Sequence, residues 1–327
     1  MFTKAFRLIA IAVLAGLLIL SLAESGSSEP LRIGISRDIK CALIHVADVQ
    51  GFFKKQGLDV VIKEYEVGVQ AVNDLLAGKV DMATASDLVF VILSFKSPDL
   101  RMSGSICVAS DQGLVVRKDR GIVKPRDLQG KRVAVIRGGQ TEFSLHNFLT
   151  LNRLPAGSVR IAYHTPSEMV RAMADGTIDA ALCWPPYTTE MMKQVPGQRV
   201  WWPAQSGQEY YFALFAREGF LKKERGAVER FLAGLLQAEL FVGRNPDQAQ
   251  AIVREWFGLD TAAFREAWSR SRFHLQLTQD LLVLMEREAR WAIRNKLVGN
   301  KEVPNYLNFF SFDALDKVKP EGVSIVH

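Results

Sequence analysis

Apolar positions along this chain fall into two patterns, short solid runs and stripes at helical spacing, which recur in the same order about a hundred residues apart. Leu31-Arg32-Ile33-Gly34-Ile35-Ser36 and Lys131-Arg132-Val133-Ala134-Val135-Ile136 each read as a short buried strand. Val72 to Ala85 (VNDLLAGKVDMATA) then matches Val170 to Cys183 (VRAMADGTIDAALC), with Gly78 opposite Gly176 and Asp81 opposite Asp179. In each copy an amphipathic stripe (Val72, Leu75, Leu76; Val170, Met173, Ala174) ends at a Gly suited to the left-handed C′ position, and an Asp leads into a buried strand. Helix, tight turn and parallel strand make βαβ construction, twice over. The pattern predicts an α/β protein of two doubly wound lobes, whose facing strand ends line a cleft from both sides.

The repeat breaks where the chain changes lobe. Gly113 to Arg117 reads as a strand entering the second lobe, and the return falls between Trp202 and Phe215, so the first lobe is discontinuous. Beyond Arg217 the spacing turns helical, with candidates at Glu229 to Val242, Pro246 to Trp256, Thr261 to Ser269 and Thr278 to Asn295. In the last, Leu281, Met285, Ala289 and Ala292 form a core stripe, and these helices read as an outer layer on the first lobe.

The first residues follow a different rule. Lys4 and Arg7 precede an apolar run from Leu8 to Leu20, and Ser21-Leu22-Ala23 supplies small residues for a cut after Ala23, the pattern of a secretory signal peptide. The run is shorter than the ~20 residues a spanning helix needs, and an uncleaved anchor is the alternative. No Cys follows it that would carry a lipid. The divisions are therefore 1–23 signal peptide, 24–110 first part of lobe 1, 111–207 lobe 2, and 208–327 the return to lobe 1 with its helical layer. The net charge of +6 falls to +4 without Lys4 and Arg7. This modest excess, interleaved with acids, argues for no nucleic-acid partner. Cys41, Cys107 and Cys183 are too scattered for a disulfide framework, and His45, His146, His164, His274 and His327 lack zinc-ligand spacing.

The segments GVQAVNDLLAGKVDMATAS, DLQGKRVAVIRGGQTEFSLHNFL and TPSEMVRAMADGTIDAALCWPPY, with the opening CALIHVADVQGFFKKQGLDVVIKEYEVG, resemble the solute-binding components of the nitrate, sulfonate and taurine class of ABC importers. The resemblance runs through most of Leu31 to Phe220 and continues loosely to the end. It implies the type II periplasmic-binding fold with a hinge and extra C-terminal helices, a monomer in the periplasm, no cofactor, a small-molecule ligand and an ABC permease in the inner membrane as partner. Where taurine-like members tend to show Trp-Glu-Pro, this chain has Trp184-Pro185-Pro186, so a carboxylate for a ligand amine is missing.

Candidate binding residues lie at the strand ends. Gly138 and Gly139 permit close approach at a helix N-terminus near Thr141, where backbone N–H groups and the helix dipole favour an anion; Gln140 and Thr141 add hydrogen bonds, and Glu142 either meets a ligand amine or complements the dipole. In the first lobe, one of Ser86 and Asp87 caps the helix from Leu88 and the other faces the cleft. Ser36, Cys41 and Ala42 line the same wall, with Lys40 and Arg37 either charge partners or, as basic residues in such turns usually are, solvated. Trp184 and Tyr210 pack a flat or apolar ligand portion, or the core. Asp111 contacts the ligand at the hinge or caps it. The expected solute is small and anionic. Two other functions fit the same fold, a cleft enzyme resembling those of menaquinone or thiamine-pyrimidine biosynthesis and a periplasmic sensory module. Against an enzyme stands the absence of a G-x-S-x-G, H-E-x-x-H or phosphate-loop motif.

Overall fold

A computed structural model of the chain describes residues 29–205, 207–258, 261–299 and 302–326. The expected leader, with Lys4, Arg7, the Leu8 to Leu20 run and the cut after Ala23, lies outside the described residues. Residues 31–327 group into one unit.

Within that unit the chain builds two sheets. The first contains β1 (Leu31–Ser36), β2 (Val60–Tyr65), β3 (Met82–Ser86), β4 (Leu100–Ala109), β10 (Tyr210–Arg217) and β11 (Ser271–Arg272), in the order β11-β4-β10-β3-β1-β2. The second contains β5 (Gly113–Arg117), β6 (Arg132–Val135), β7 (Arg160–Tyr163), β8 (Ala180–Cys183) and β9 (Arg199–Pro203), in the order β7-β6-β8-β5-β9. Three parallel strands, β2-β1-β3 and β7-β6-β8, stand at one side of each sheet, and an antiparallel strand follows. That antiparallel strand is the one by which the chain enters the sheet, β5 in one and β10 in the other.

The sequence repeat has a bond-level cause. Asp81 and Asp179 each stand just before the third parallel strand and accept the backbone N–H that opens the first: Arg32 N donates to Asp81 Oδ2 and Arg132 N to Asp179 Oδ2, both at 2.8 Å. The preceding helices, Gly68–Leu76 and Pro166–Asp175, are followed by Gly78 (φ 72°) and Gly176 (φ 78°), in the left-handed conformation that stops a helix. The second helix starts with a capping box: Glu168 N donates to Thr165 Oγ1, and Thr165 N donates to Glu168 Oε2.

Strand periodicity decides the layering. In the second sheet Leu114, Val116, Val133, Val135, Ala180 and Leu182 face a core closed by Leu145, Phe148 and Leu149 of the helix Gln140–Leu151. The alternate residues Val115, Ala134, Ala181 and Cys183 face Met169, Val170 and Met173 of the helix Pro166–Asp175. The first sheet has a larger core to which the C-terminal helices contribute, among them Arg225–Arg244 through Phe231, Leu232 and Leu235, and Gln279–Arg294 through Leu281, Met285 and Ala289. The expected helical layer is present, with Pro246–Phe257 and Thr261–Ser269 between those two. No helix among the described residues is long and apolar enough to cross a membrane.

The two crossings run side by side. Ala204 N donates to Gln112 O (3.0 Å), while the Gln205 side chain ties them again: its Oε1 accepts from Gln112 N (2.8 Å), and its Nε2 donates to Ala109 O (3.3 Å) and Gln208 O (2.9 Å). Trp201 covers Gly113 so closely that a Cβ there would lie 1.9 Å from the indole nitrogen, which restricts the crossing to glycine.

Candidate functional site

The carboxyl ends of β1, β3, β6 and β8, together with the crossing segments, converge on one cavity between the sheets. From the first lobe come Ser36, at the end of β1, and Asp38 and Lys40 in the turn after it. Ser86 closes β3, and Val67, Gly68 and Val69 open the following wall. The second lobe adds Ile136, Gly139, Gln140 and Trp184, and the crossings add Gln112, Tyr210 and Phe212. The free space is about 40 Å³, enough for about three waters at ~10–15 Å³ each and well below the ~300 Å³ of a typical pocket for larger ligands. The lobes stand closed.

Closure has its own bonds. Gln140 Nε2 donates to Glu288 Oε1 of the C-terminal helix Gln279–Arg294 at 3.0 Å, and Phe143 meets Trp291 edge-on at 5.1 Å between ring centres. At the opposite rim Ser167 N donates to Glu66 Oε1 at 2.8 Å.

Of the two alternatives open to Lys40, the solvated one is ruled out, because the side chain is buried against two carboxyl groups. Its side chain is 2 % exposed, and Nζ lies 2.7 Å from Asp38 Oδ1 and 2.9 Å from Asp111 Oδ2. Tyr210 donates its hydroxyl to Asp111 Oδ1 at 2.8 Å, and the Trp184, Tyr210 and Phe212 rings stand 5.3, 5.6 and 5.9 Å from the ammonium. Burial pulls the Lys40 pKa down, but the Asp111 and Asp38 charges outweigh it and hold the ammonium well above its usual range. Burial, opposed by Lys40 and aided by Asp111, raises Asp38.

The candidate residues divide into those that reach the cavity and those that support its walls. Ser36, Ser86, Gly139, Gln140, Trp184 and Tyr210 line it. Asp111 lies behind the lining, held by Lys40 and Tyr210. Cys41 sits beneath, its sulfur 3.4 Å from Thr84 Oγ1, and burial pushes the thiol up to about 12; Ala42 is buried in the core of the first sheet. β3 ends at Ser86 and the helix Asp87–Ser94 begins one residue earlier than expected. Ser86 therefore faces the cavity, and Asp87 turns inward to accept from Leu88 N (3.0 Å) and Tyr211 N (3.0 Å). The helix after β6 begins at Gln140, not Thr141. Thr141 Oγ1 accepts from Ile136 N (2.9 Å) and clasps the turn, while Glu142 accepts from Gly138 N (2.8 Å) and the Tyr163 hydroxyl (2.8 Å). Gly138 (φ 64°) supplies the left-handed corner without reaching the cavity lining. The sequence reading missed Asp38, Gln112, Phe212 and the Val67–Val69 wall.

Four buried polar atoms on this lining have no hydrogen-bond partner: Ser36 Oγ, Trp184 Nε1, Gln112 Oε1 and Gln140 Oε1. Buried polar groups are almost always paired, and these four belong to residues that line one cavity, where a bound solute can supply partners. Among the described residues, no group of His, Cys, Asp and Glu is arranged to hold a metal ion.

Two sheets of this topology, closed over a cavity at their strand ends and joined by a paired crossing, define the periplasmic-binding-protein fold. The chain belongs to the family described as NMT1/THI5 like, which it matches over residues 39–249. It is 27 % identical over 201 residues to the taurine-binding periplasmic protein of Escherichia coli (strain K12), covering 60 % of this chain and 61 % of that one. Among solved structures, the alkanesulfonate-binding protein SsuA from Xanthomonas axonopodis pv. citri bound to MOPS shares the fold with a TM-score of 0.74 at 17 % identity, over 84 % of this chain and 96 % of that one. The desulfurization enzyme DSZB shares it as well, with a TM-score of 0.67 at 15 % identity over 90 % and 99 %.

Proposed function

We propose that this chain is the periplasmic solute-binding component of an ABC importer, a monomer that closes on a small molecule and presents it to a membrane permease without nucleic acid or cofactor. The observation that carries the reading is the set of four unpartnered polar atoms on a cavity built from both lobes. A solute that satisfies them is held by both lobes at once and so favours the closed arrangement. The family match and the taurine-binding relative support the same role.

The fold shared with DSZB favours an enzyme as the second reading. Against it, Cys41, Cys107 and Cys183 are all buried, and burial raises each thiol, which removes the thiolate a cysteine nucleophile requires.

A thermal-shift screen followed by calorimetry tests the proposal, because a solute that binds only the folded state raises the melting temperature. The double variant Ser36→Ala, Trp184→Phe removes two orphan donors and should weaken binding roughly 10- to 100-fold, at about 1 kcal/mol or more for each hydrogen bond. Unchanged affinity would remove the cavity from consideration. Recovery of a chemically altered solute would favour the enzyme.

A further inference from the structure

We infer that Glu288 is a positioning residue held as a neutral acid, which clasps the Gln140 amide through two hydrogen bonds, donating one and accepting one, so that the proton it carries latches the lobes shut. The inference rests on the binding reading above for its use, the regulation of capture, and is tested without a solute.

An amide and a carboxylic acid match in shape, each offering one donor beside one acceptor, whereas a carboxylate offers acceptors only. Half of such a pair is in place, with Gln140 Nε2 donating to Glu288 Oε1 at 3.0 Å. The two atoms left over, Gln140 Oε1 and Glu288 Oε2, are both buried and both without a partner. As long as Glu288 is ionised, both are acceptors. Turning the amide over leaves one oxygen of each group unmatched as before; a single proton on Oε2 satisfies the two together.

The surroundings place that proton on Glu288 rather than on its acidic neighbour. Asp87, from the helix Asp87–Ser94, accepts Leu88 N on Oδ1 and Tyr211 N on Oδ2, both at 3.0 Å, and those bonds serve its ionised form. Glu288 is fully buried and accepts one bond from a neutral donor, with no ion pair among the described residues. Arg287, beside it on the same helix, is exposed and turns toward Gln208 Oε1 at 3.5 Å. The other titratable groups around the pair are Tyr211 from β10, Tyr306 from the turn Tyr306–Phe309 and His146 from the helix Gln140–Leu151. Burial raises both phenols and lowers the imidazole, so near neutral pH none of them supplies a cation to offset a carboxylate. Burial, with the Asp87 charge behind it, accordingly holds Glu288 well above the usual carboxylate range.

The two partners belong to different lobes, which turns a buried proton into a latch. Glu288 stands on the C-terminal helix Gln279–Arg294, packed on the first sheet, and Gln140 opens the helix that follows β6 in the second. When the lobes part, Glu288 meets water and releases its proton in the ordinary carboxylate range; when they close, it keeps it. The contribution to closure is therefore full below the open-state range and is lost as pH rises through the closed-state one. Gln140 Oε1 is then served by the protein, which leaves Ser36 Oγ, Trp184 Nε1 and Gln112 Oε1 to the solute.

Fluorescence energy transfer between labels at Val61→Cys and Ile161→Cys, exposed positions on the edge strands β2 and β7, reads closure of the mature chain, whose native thiols are buried. From about pH 5 to about pH 8.5 the closed-to-open ratio should fall roughly tenfold or more, the change that one linked proton gives per pH unit between the two ranges. Glu288→Gln offers Gln140 the same donor and acceptor without titrating, so its ratio should change less than about twofold and stay high at the alkaline end. Glu288→Leu, or Gln140→Leu where that variant fails to fold, should be open at both ends of the range. A parent ratio that ignores pH, or a pH dependence that survives in Glu288→Gln and so belongs to Asp87 or another group, overturns the inference and leaves the binding reading to its own screen. A screen that finds no solute while the pH profile holds removes the binding reading and keeps the latch.

Discussion

The two sheets share their framework down to single bonds and part company at the ends of their strands. Asp81 and Asp179 tie equivalent strands through equivalent backbone donors at the same 2.8 Å. The loop after β1, however, turns Asp38 and Lys40 inward, whereas the loop after β6 presents Gly139 and Gln140, and Glu142, from the first turn of the helix that follows, accepts from Gly138 N of that loop and from the Tyr163 hydroxyl. One wall of the cavity is ionic, a lysine held between two carboxyl groups; the facing wall is uncharged and hydrogen-bonding. Framework and recognition are separate inheritances within one chain, the first fixed by strand linkage and the second by a few loop residues.

The sharpest way to break this contrast is to remove the central charge of the ionic wall. Lys40→Met leaves two buried carboxylates without their cation and should lower stability by about 3–5 kcal/mol in urea unfolding. Adding Asp38→Asn and Asp111→Asn should restore most of the loss. A loss below about 1 kcal/mol for the single variant would mean that the carboxylates find other partners.

Next in size is a pH dependence carried by the same side of the cleft. Burial pushes Asp87 up to about 7 from an ordinary 3.8, and burial followed by the Asp87 charge raises Glu288 well above its usual range. The folded state therefore keeps protons that the unfolded chain releases. Stability should fall as pH rises from about 4, the Asp87 share being complete by about 7, at about 1.4 kcal/mol per pH unit for each proton the folded state retains. Urea midpoints from pH 5 to 8 measure this, and Glu288→Gln, which retains an acceptor for Gln140, should flatten the slope. Stability that climbs over this range would show that these carboxyls fold ionised.

Gly68→Ala probes how tightly the first lobe is packed behind its wall. A Cβ there would meet Ala85 Cβ at 2.6 Å and Ala85 Cα at 2.7 Å, so the helix Gly68–Leu76 must lift off β3, a loss of about 1–3 kcal/mol by thermal unfolding. The smallest effect concerns the framework itself. Asp81→Ala and Asp179→Ala should each lose about 1 kcal/mol through the strand-opening bond, Asp81→Ala slightly more because its carboxylate also accepts from the half-exposed Arg32 guanidinium (2.6 and 3.0 Å). A much larger loss in one sheet would show that the two linkages are not equivalent.

Most of the fold was legible because it rests on local rules. Gly78 and Gly176 stop helices, solid apolar runs make buried strands, and Gly113 to Arg117 announces the crossing. The cavity was legible only in part. The sequence leaves Lys40 between pairing and solvent because its second partner, Asp111, lies 71 residues away, and nothing local distinguishes a matched buried lysine from a solvated one. Glu288 left a signal that went unused: it falls at helical spacing with Leu281, Met285 and Ala292, an acid within an apolar stripe. Phe212 lies within the return predicted between Trp202 and Phe215, but the register shift between Phe212 and Ala213 comes from pairing with β4, which no local pattern announces.

The Gln205 side chain, bonded to Ala109 and Gln112 on the outgoing strand and to Gln208 on the returning one, laces the two connecting straps into a single pin. Lobes joined by two independent straps can shear and twist as well as swing; lobes hung on one pin have a single arc. On the proposed function, every shut molecule then offers a permease the same face, and filled carriers differ from empty ones in outline.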